Sequence, residues 1–195
     1  MARVHAEAAA VVVMVLAGAL HAHGAPAIDR EVATVVLHVR DFHGVPPSEF
    51  ADAQRGASEI YRRIGVRLVW TDGSARLDAV ARCLNVDIVI LDRAMADRNN
   101  PEPTTFGQAS HMTRRAYIYY SRIVAFVTRT HSNPDRVLAL VLAHELGHVL
   151  LPEYSHTADG IMRPNLHGQI LKLPRFASAQ AMTIRTAVLS AALTD

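Results

Sequence analysis

The chain has 195 residues, half of them apolar and 19% charged, with a formal net charge of +2. That is enough for a globular domain with a real core and too apolar for a disordered chain. The positive charge is almost all arginine, Lys172 being the only lysine, and it is scattered singly or in pairs such as Arg62-Arg63 and Arg114-Arg115. No basic stripe forms, which excludes the electrostatic footprint of a nucleic-acid binder.

The N-terminus has the order of a secretory signal peptide. Arg3 supplies the charge, Ala8 to Leu20 the apolar stretch, and "HAHGAPA" the small residues around a cleavage site after Gly24 or Ala27. The apolar stretch is too short for a comfortable membrane span, and no later segment suits one. An exported protein, secreted or periplasmic, is therefore expected, with residues 1–24 removed and no membrane contact afterwards. The first predicted strand follows so closely that no prodomain is expected between. Cys83 is the only cysteine, so no internal disulfide can form, and it reads as a small buried hydrophobe.

In the mature chain, "ATVVLHVRDF" (33–42) is β-branched and bounded by Gly44, Pro46 and Pro47, and predicts a strand. Phe50, Ala53, Ala57, Ile60, Tyr61 and Ile64 recur at helical spacing, with Ser48 as N-cap and Gly65 as the stop. "VRLVW" (66–70) predicts a second strand. "NVDIVILD" (85–92) has the continuous apolar character of a central strand. Residues 98–104 read as a loop, and 105–112 as a short edge strand containing Gly107 and His111. "RAYIYYSRI" (115–123) predicts another strand, with 125–130 either continuing it or opening a connection. Asn133-Pro134-Asp135 then starts a helix over 135–151, apolar almost all round and so buried, which Pro152 stops. A terminal helix is predicted over 176–193. Strands with helices on one or both faces make an α/β or α+β fold, here a single domain over 28–195.

The chemistry lies in "HELGHVLLPEYSHTADGIMRP", residues 144 to 164. His144 and His148, four apart on a helix, place both imidazoles on one face, where they can grip one ion. Glu145 is offset by about a third of a turn, within reach of a zinc-activated water without being a ligand. Neutral histidine ligands leave the charge of Zn2+ largely uncompensated and lower the pKa of its water toward about 7. Glu145 can then act as general base and pass the proton to a leaving amine. Zinc needs a third protein ligand. No Asp or Glu follows Asp159 until Asp195, which removes a distant downstream glutamate. Glu153, His156, Asp159, His167 and the upstream Cys83 remain, and His156 is preferred, because the residues from Leu151 extend about 17 Å, ample to fold back. Tyr154 is a candidate hydrogen-bond donor to a reaction intermediate, though packing in the loop is its commoner role.

This segment resembles the metzincin clan of zinc metallopeptidases, in which H-E-x-x-H-x-x-G-x-x-H is followed by a turn with a methionine beneath the metal. His144, Glu145 and His148 match the first half, "GIMRP" with Met162 looks like the Met-turn, and Pro164 sits where matrixin-like members carry proline. The chain departs from the pattern at Leu151, in place of the turn glycine, at Tyr154, in place of the third histidine, and at Arg163, in place of a tyrosine of several subfamilies. His156 comes two residues late, so the connecting loop is longer. The resemblance implies a zincin-type α+β fold: a twisted mixed sheet of four to five strands, a backing helix, a central active-site helix and a C-terminal helix. It implies an endopeptidase, here one expected to be exported, acting on peptide or protein substrates, with zinc on His144, His148 and His156 and with Glu145 as the base. A zincin-fold zinc-binding protein without turnover, closed by Asp159 or His167, and a non-peptidase zinc hydrolase using Cys83 are the alternatives.

Overall fold

The computed structural model describes residues 33–72, 83–100, 102–152, 155–164 and 174–191, all within the unit that runs from Glu31 to Asp195. The expected signal peptide, and with it Glu153, Tyr154 and His167, lies outside the described residues. The elements are β1 (Ala33–Asp41), α1 (Pro47–Arg62), β2 (Val66–Thr71), β3 (Leu84–Ile90), α2 (Arg93–Asn99), β4 (Gly107–Ser110), β5 (Arg115–Ile118), α3 (Tyr120–Thr130), α4 (Pro134–Leu150) and α5 (Ser178–Ala191). The strands form one mixed sheet in the order β2-β1-β3-β5-β4. The fold is α+β, with five strands and five helices among the described residues.

Period-two burial builds the sheet. In β1, Ala33, Val35, Leu37 and Val39 enter the main core, while its register sets Val35 beside Leu68 of β2 and Leu84 of β3. Parallel neighbours need a crossover, and α1 supplies it between β1 and β2. The apolar run of β3 occupies the centre of the sheet, as its composition predicts. Ile88 and Ile90 face the main core, and Val89 faces the other side, where it packs with Leu91, Ala96 and Tyr119 under α2. Only β4 runs antiparallel, at one edge, with Gly107 opposite Ile118 of β5.

Helix α4 is the centre of the domain. It begins as predicted, with Asn133 capping the Arg136 amide, Pro134 at the first helical position and Asp135 in the first turn. From Val137 to Gly147 every residue is buried. It packs on α1, α3 and α5 and across β4 and β5. The hydroxyl of Tyr61 on α1, fully buried, donates to the Ala143 carbonyl at 3.0 Å.

Three expectations are corrected. The strand predicted over 115–123 ends at Ile118, and the ambiguous 125–130 belongs to α3. Its aromatic and β-branched letters favour a strand locally, but Tyr120, Ile123, Phe126 and Val127 share one helical face that enters the core. Residues 93–99, for which no helix is predicted, form α2, capped by the Asp92 carboxylate on the Met95 amide at 2.7 Å. Helix α1 is entered through Pro46, with Pro47 in its first turn and no side-chain cap from Ser48. A proline there loses no intrahelical hydrogen bond.

Arg122 of α3 ties these unforeseen pieces together. It is buried, and its guanidinium donates to the carbonyls of Ala96 at 3.3 Å, Asn100 at 2.5 Å, Glu102 at 2.6 Å and Thr105 at 3.1 Å. It also pairs with Asp97 at 3.2 Å and lies over the Tyr119 ring. Segment 102–106 thereby leads into β4 at a defined height. Arg122→Met is expected to cost about 3 kcal/mol, because carbonyls lose a charged donor that water cannot fully replace. Urea unfolding measures this, and a midpoint within error of the wild type would show the carbonyls to be solvated already.

Candidate metal centre

One polar patch interrupts the apolar surface of α4. His144 and Glu145 are each 7% exposed, and His148 is half-buried. His156 comes from beyond Pro152, and the three ring nitrogens meet. His148 Nε2 lies 3.0 Å from His144 Nε2 and 3.1 Å from His156 Nε2. These three residues are the one cluster of metal-ligand type among the described residues.

The outer nitrogens fix the chemistry of the inner ones. His144 Nδ1 lies 2.7 Å from the Ile161 carbonyl, which can only accept, so Nδ1 carries the proton and Nε2 presents a lone pair. His148 Nδ1 lies 3.3 Å from Ser155 Oγ. A single ring proton on His148 would have to serve both Nε2 contacts at once, whereas one cation satisfies three converging lone pairs. A tetrahedral Zn2+ with nitrogens at 2.0–2.1 Å would hold them about 3.3 Å apart, close to the two separations from His148, and all three ligand atoms lie within 4.8 Å of one another. The donor set therefore fits zinc.

Burial sets the charges. It lowers the His144 imidazole below its ordinary range, against the Ile161 carbonyl that raises it. It takes His148 down to about 4, with its neighbours His144 and His156 adding to the effect. The Glu145 carboxyl is pushed up to about 8 by desolvation. Neutral histidines are what a metal requires, and a cation beside Glu145 would pull its carboxyl back toward ionisation.

Glu145 and the histidines line a cleft of about 980 Å³, whose opposite wall is β4 and the turn after it. Gly107, at the start of β4, touches Glu145. A Cβ there would lie 2.7 Å from the carboxyl carbon, so only glycine lets the strand pass so close to the carboxylate. At the other end of the wall, His111 Nδ1 bonds the Val149 carbonyl at 2.7 Å. His111 lines the cleft and is no member of the histidine cluster.

Beneath the site, Met162 is fully buried against α4. A Cβ on Gly147, between the two helix histidines, would overlap the Met162 sulfur. The turn around Met162 closes by the Arg163 amide on the Gly160 carbonyl at 3.2 Å, with Gly160 at φ +84°. Its Met162 carbonyl accepts the Thr157 amide at 3.0 Å, next to His156.

The two other candidate ligands among the described residues, Cys83 and Asp159, lie elsewhere. Cys83 is buried at the head of β3, outside the cluster. Asp159 is exposed in the turn, its carbonyl accepting the Thr157 hydroxyl. Sequence reasoning missed Ser155 and the reason for Gly107. Neither carries a local signal, since each matters through a partner far along the chain.

No family model matches the chain, and no curated protein matches it. Solved structures do. An archaemetzincin from Methanopyrus kandleri aligns with a TM-score of 0.51 at 15% identity, over 83% of this chain and 98% of that one. A zinc-dependent peptidase from Methanocorpusculum labreanum aligns at 0.49 and 15% identity, over 77% and 99%. An archaemetzincin from Archaeoglobus fulgidus, complexed with malonate, aligns at 0.46 and 16% identity, over 77% and 99%. The Methanopyrus structure shows that the fold is shared.

The buried groups give the metal-free protein a pH signature. Glu145 keeps its proton in the folded state up to about pH 8 but loses it near 4.5 when unfolded, so its contribution is complete below 4.5 and falls as pH rises toward 8. His148 runs the other way, between its lowered value of about 4 and 6.5. Between pH 6.5 and 8 the Glu145 effect acts alone among the site's resolved shifts. Stability in chelator should fall there by up to about 1.4 kcal/mol per pH unit. Glu145→Gln should flatten the decline in denaturant titrations. An equal decline in that variant would assign the slope to another group.

Proposed function

We propose that the chain is an exported zinc-dependent peptidase, with zinc held by His144, His148 and His156 and with Glu145 as general base. The observation that carries this reading is the convergence of three Nε2 lone pairs beside a buried carboxylate in one open cleft. The fold shared with an archaemetzincin supports it. Zinc at this site would polarise a carbonyl and lower the pKa of water, the chemistry that amide hydrolysis needs.

The chain's own residues do the rest. The Ile161 carbonyl and Ser155 hydroxyl orient the imidazoles. Gly107 and the apolar surroundings hold Glu145 in the cleft wall, dry and poised to take a proton and return it to the leaving amine. Strand β4 lines the cleft and has β5 as its one strand partner among the described residues, so an extended peptide can add to its other edge as a further strand. Met162, packed under Gly147, plays the part of a Met-turn methionine, a floor that keeps the ligand-bearing helix from shifting. Among the described residues the cluster has three members beside an open cleft. The open cleft beside the cluster is what supports turnover, since catalytic zinc keeps one position free for water or substrate.

Two variants separate binding from catalysis. Glu145→Ala should retain stoichiometric zinc and lose about 10²–10⁴-fold in cleavage of an unstructured peptide substrate. His156→Ala should lose tight zinc binding in a chelator competition. Unchanged cleavage by Glu145→Ala would overturn the assignment of the base, and undiminished zinc affinity in His156→Ala that of the third ligand.

Export is proposed from the signal-like N-terminus alone. The mature protein recovered from an export-competent host should begin at Ala25 or Ile28. An intact Met1 on correctly folded protein in the cytoplasm would overturn it.

A further inference from the structure

His156 is the ligand that α4 does not carry, and it is held from both sides. After it, the Thr157 amide bonds the Met162 carbonyl. Before it, Gln180 Nε2 donates to the Ser155 carbonyl at 2.8 Å and so grips the peptide unit that joins Ser155 to His156. Gln180 lies in the first turn of α5 and is 9% exposed. Its amide orientation follows from its partners. Oε1 accepts the Ala177 amide at 3.3 Å, the reach-back bond of a glutamine in the first turn of a helix, which leaves Nε2 turned to the loop. Ser155 passes the constraint on, because its hydroxyl meets His148 Nδ1.

We propose that Gln180 is a positioning residue for the metal centre: from α5 it clamps the Ser155–His156 peptide unit, and so sets both the approach of His156 and the outer hydrogen-bond partner of His148. This rests on the reading that the three histidines hold a metal. A buried glutamine that only capped α5 would need its oxygen alone. Here the amide nitrogen is spent on the loop, and the chain reaches from the last helix to two of the three ligands in two contacts. Partners of this kind orient metal ligands and typically govern affinity 10–100-fold.

The test compares zinc affinity by chelator competition, the visible spectrum of the Co2+ form, and the melting temperature of the metal-free protein. Gln180→Met is expected to weaken zinc about 10–100-fold and to alter the cobalt bands. A lower melting temperature with unchanged affinity and spectrum would reduce Gln180 to a helix cap and overturn the proposal. If the methionine variant loses its folded circular dichroism, Gln180→Glu serves at pH 8. It keeps the bond from the Ala177 amide but sets a carboxylate against the Ser155 carbonyl. Its added negative charge favours a cation, so weaker zinc binding reports the lost clamp, and equal or tighter binding overturns it. Wild-type protein that takes up no zinc would overturn the metal reading itself, a result distinct from either variant's.

Discussion

The most buried helix among the described residues carries two buried ionisable side chains, His144 and Glu145, and that conflict governs the site. Helix α4 is surrounded by α1, α3, α5 and the sheet, so nearly everything it presents from Val137 to Gly147 is taken out of water. Leucine, valine and alanine gain by this. His144 and Glu145 lose hydration, and burial answers by holding the imidazole neutral and the carboxyl protonated. Both groups are thereby kept in forms that one cation would change together. It would take the histidine lone pair and favour the ionised carboxylate. A metal held as proposed would relieve that cost, and its uptake would then be coupled to folding.

Relief of that kind requires directed groups, and each direction comes from a different part of the chain. His144 is turned by a carbonyl from the Met162 turn, and His148 by a hydroxyl from the loop before His156. Glu145 is confined by the backbone of an edge strand. That strand is set in turn by a loop whose carbonyls converge on Arg122. The cleft is therefore a joint product of α4, β4, the Met162 turn and α5. Neither the helix alone nor its motif would hold three nitrogens about a common point.

The fold was legible where burial alone decides. The alternation in β1, the unbroken apolar run of β3 and the all-round apolar α4 with its Asn133-Pro134 start each read correctly from local pattern. Reading failed where tertiary contacts outweigh local preference. Residues 120–127 are rich in strand formers, yet they are helical, with one face of α3 in the core and the buried Arg122 bonded to carbonyls of the neighbouring loop. Helix α2 is too short to show a period. At the site, His144, Glu145, His148 and His156 stand out by residue type and spacing. Gly107, Ser155 and Gln180 do not, because a glycine, a serine and a glutamine in polar surroundings are ordinary letters until their partners are known.

Taken as the proposed third ligand, His156 comes two residues late against the metzincin pattern that the sequence resembles. Lengthening a loop by two residues costs little in closure entropy, since that cost grows only with the logarithm of length. What lengthening threatens is precision, because more backbone angles separate the ligand from the helix end. Precision returns through contacts that do not depend on the loop's length. The peptide unit before His156 is bonded to α5, and the one after it to the turn beneath the site. Both anchors belong to elements packed on α4 or its immediate surroundings, so the ligand is referenced to the helix by tertiary contacts instead of by chain length. A motif defined by spacing along the sequence would miss such a site, and one defined by converging lone pairs finds it.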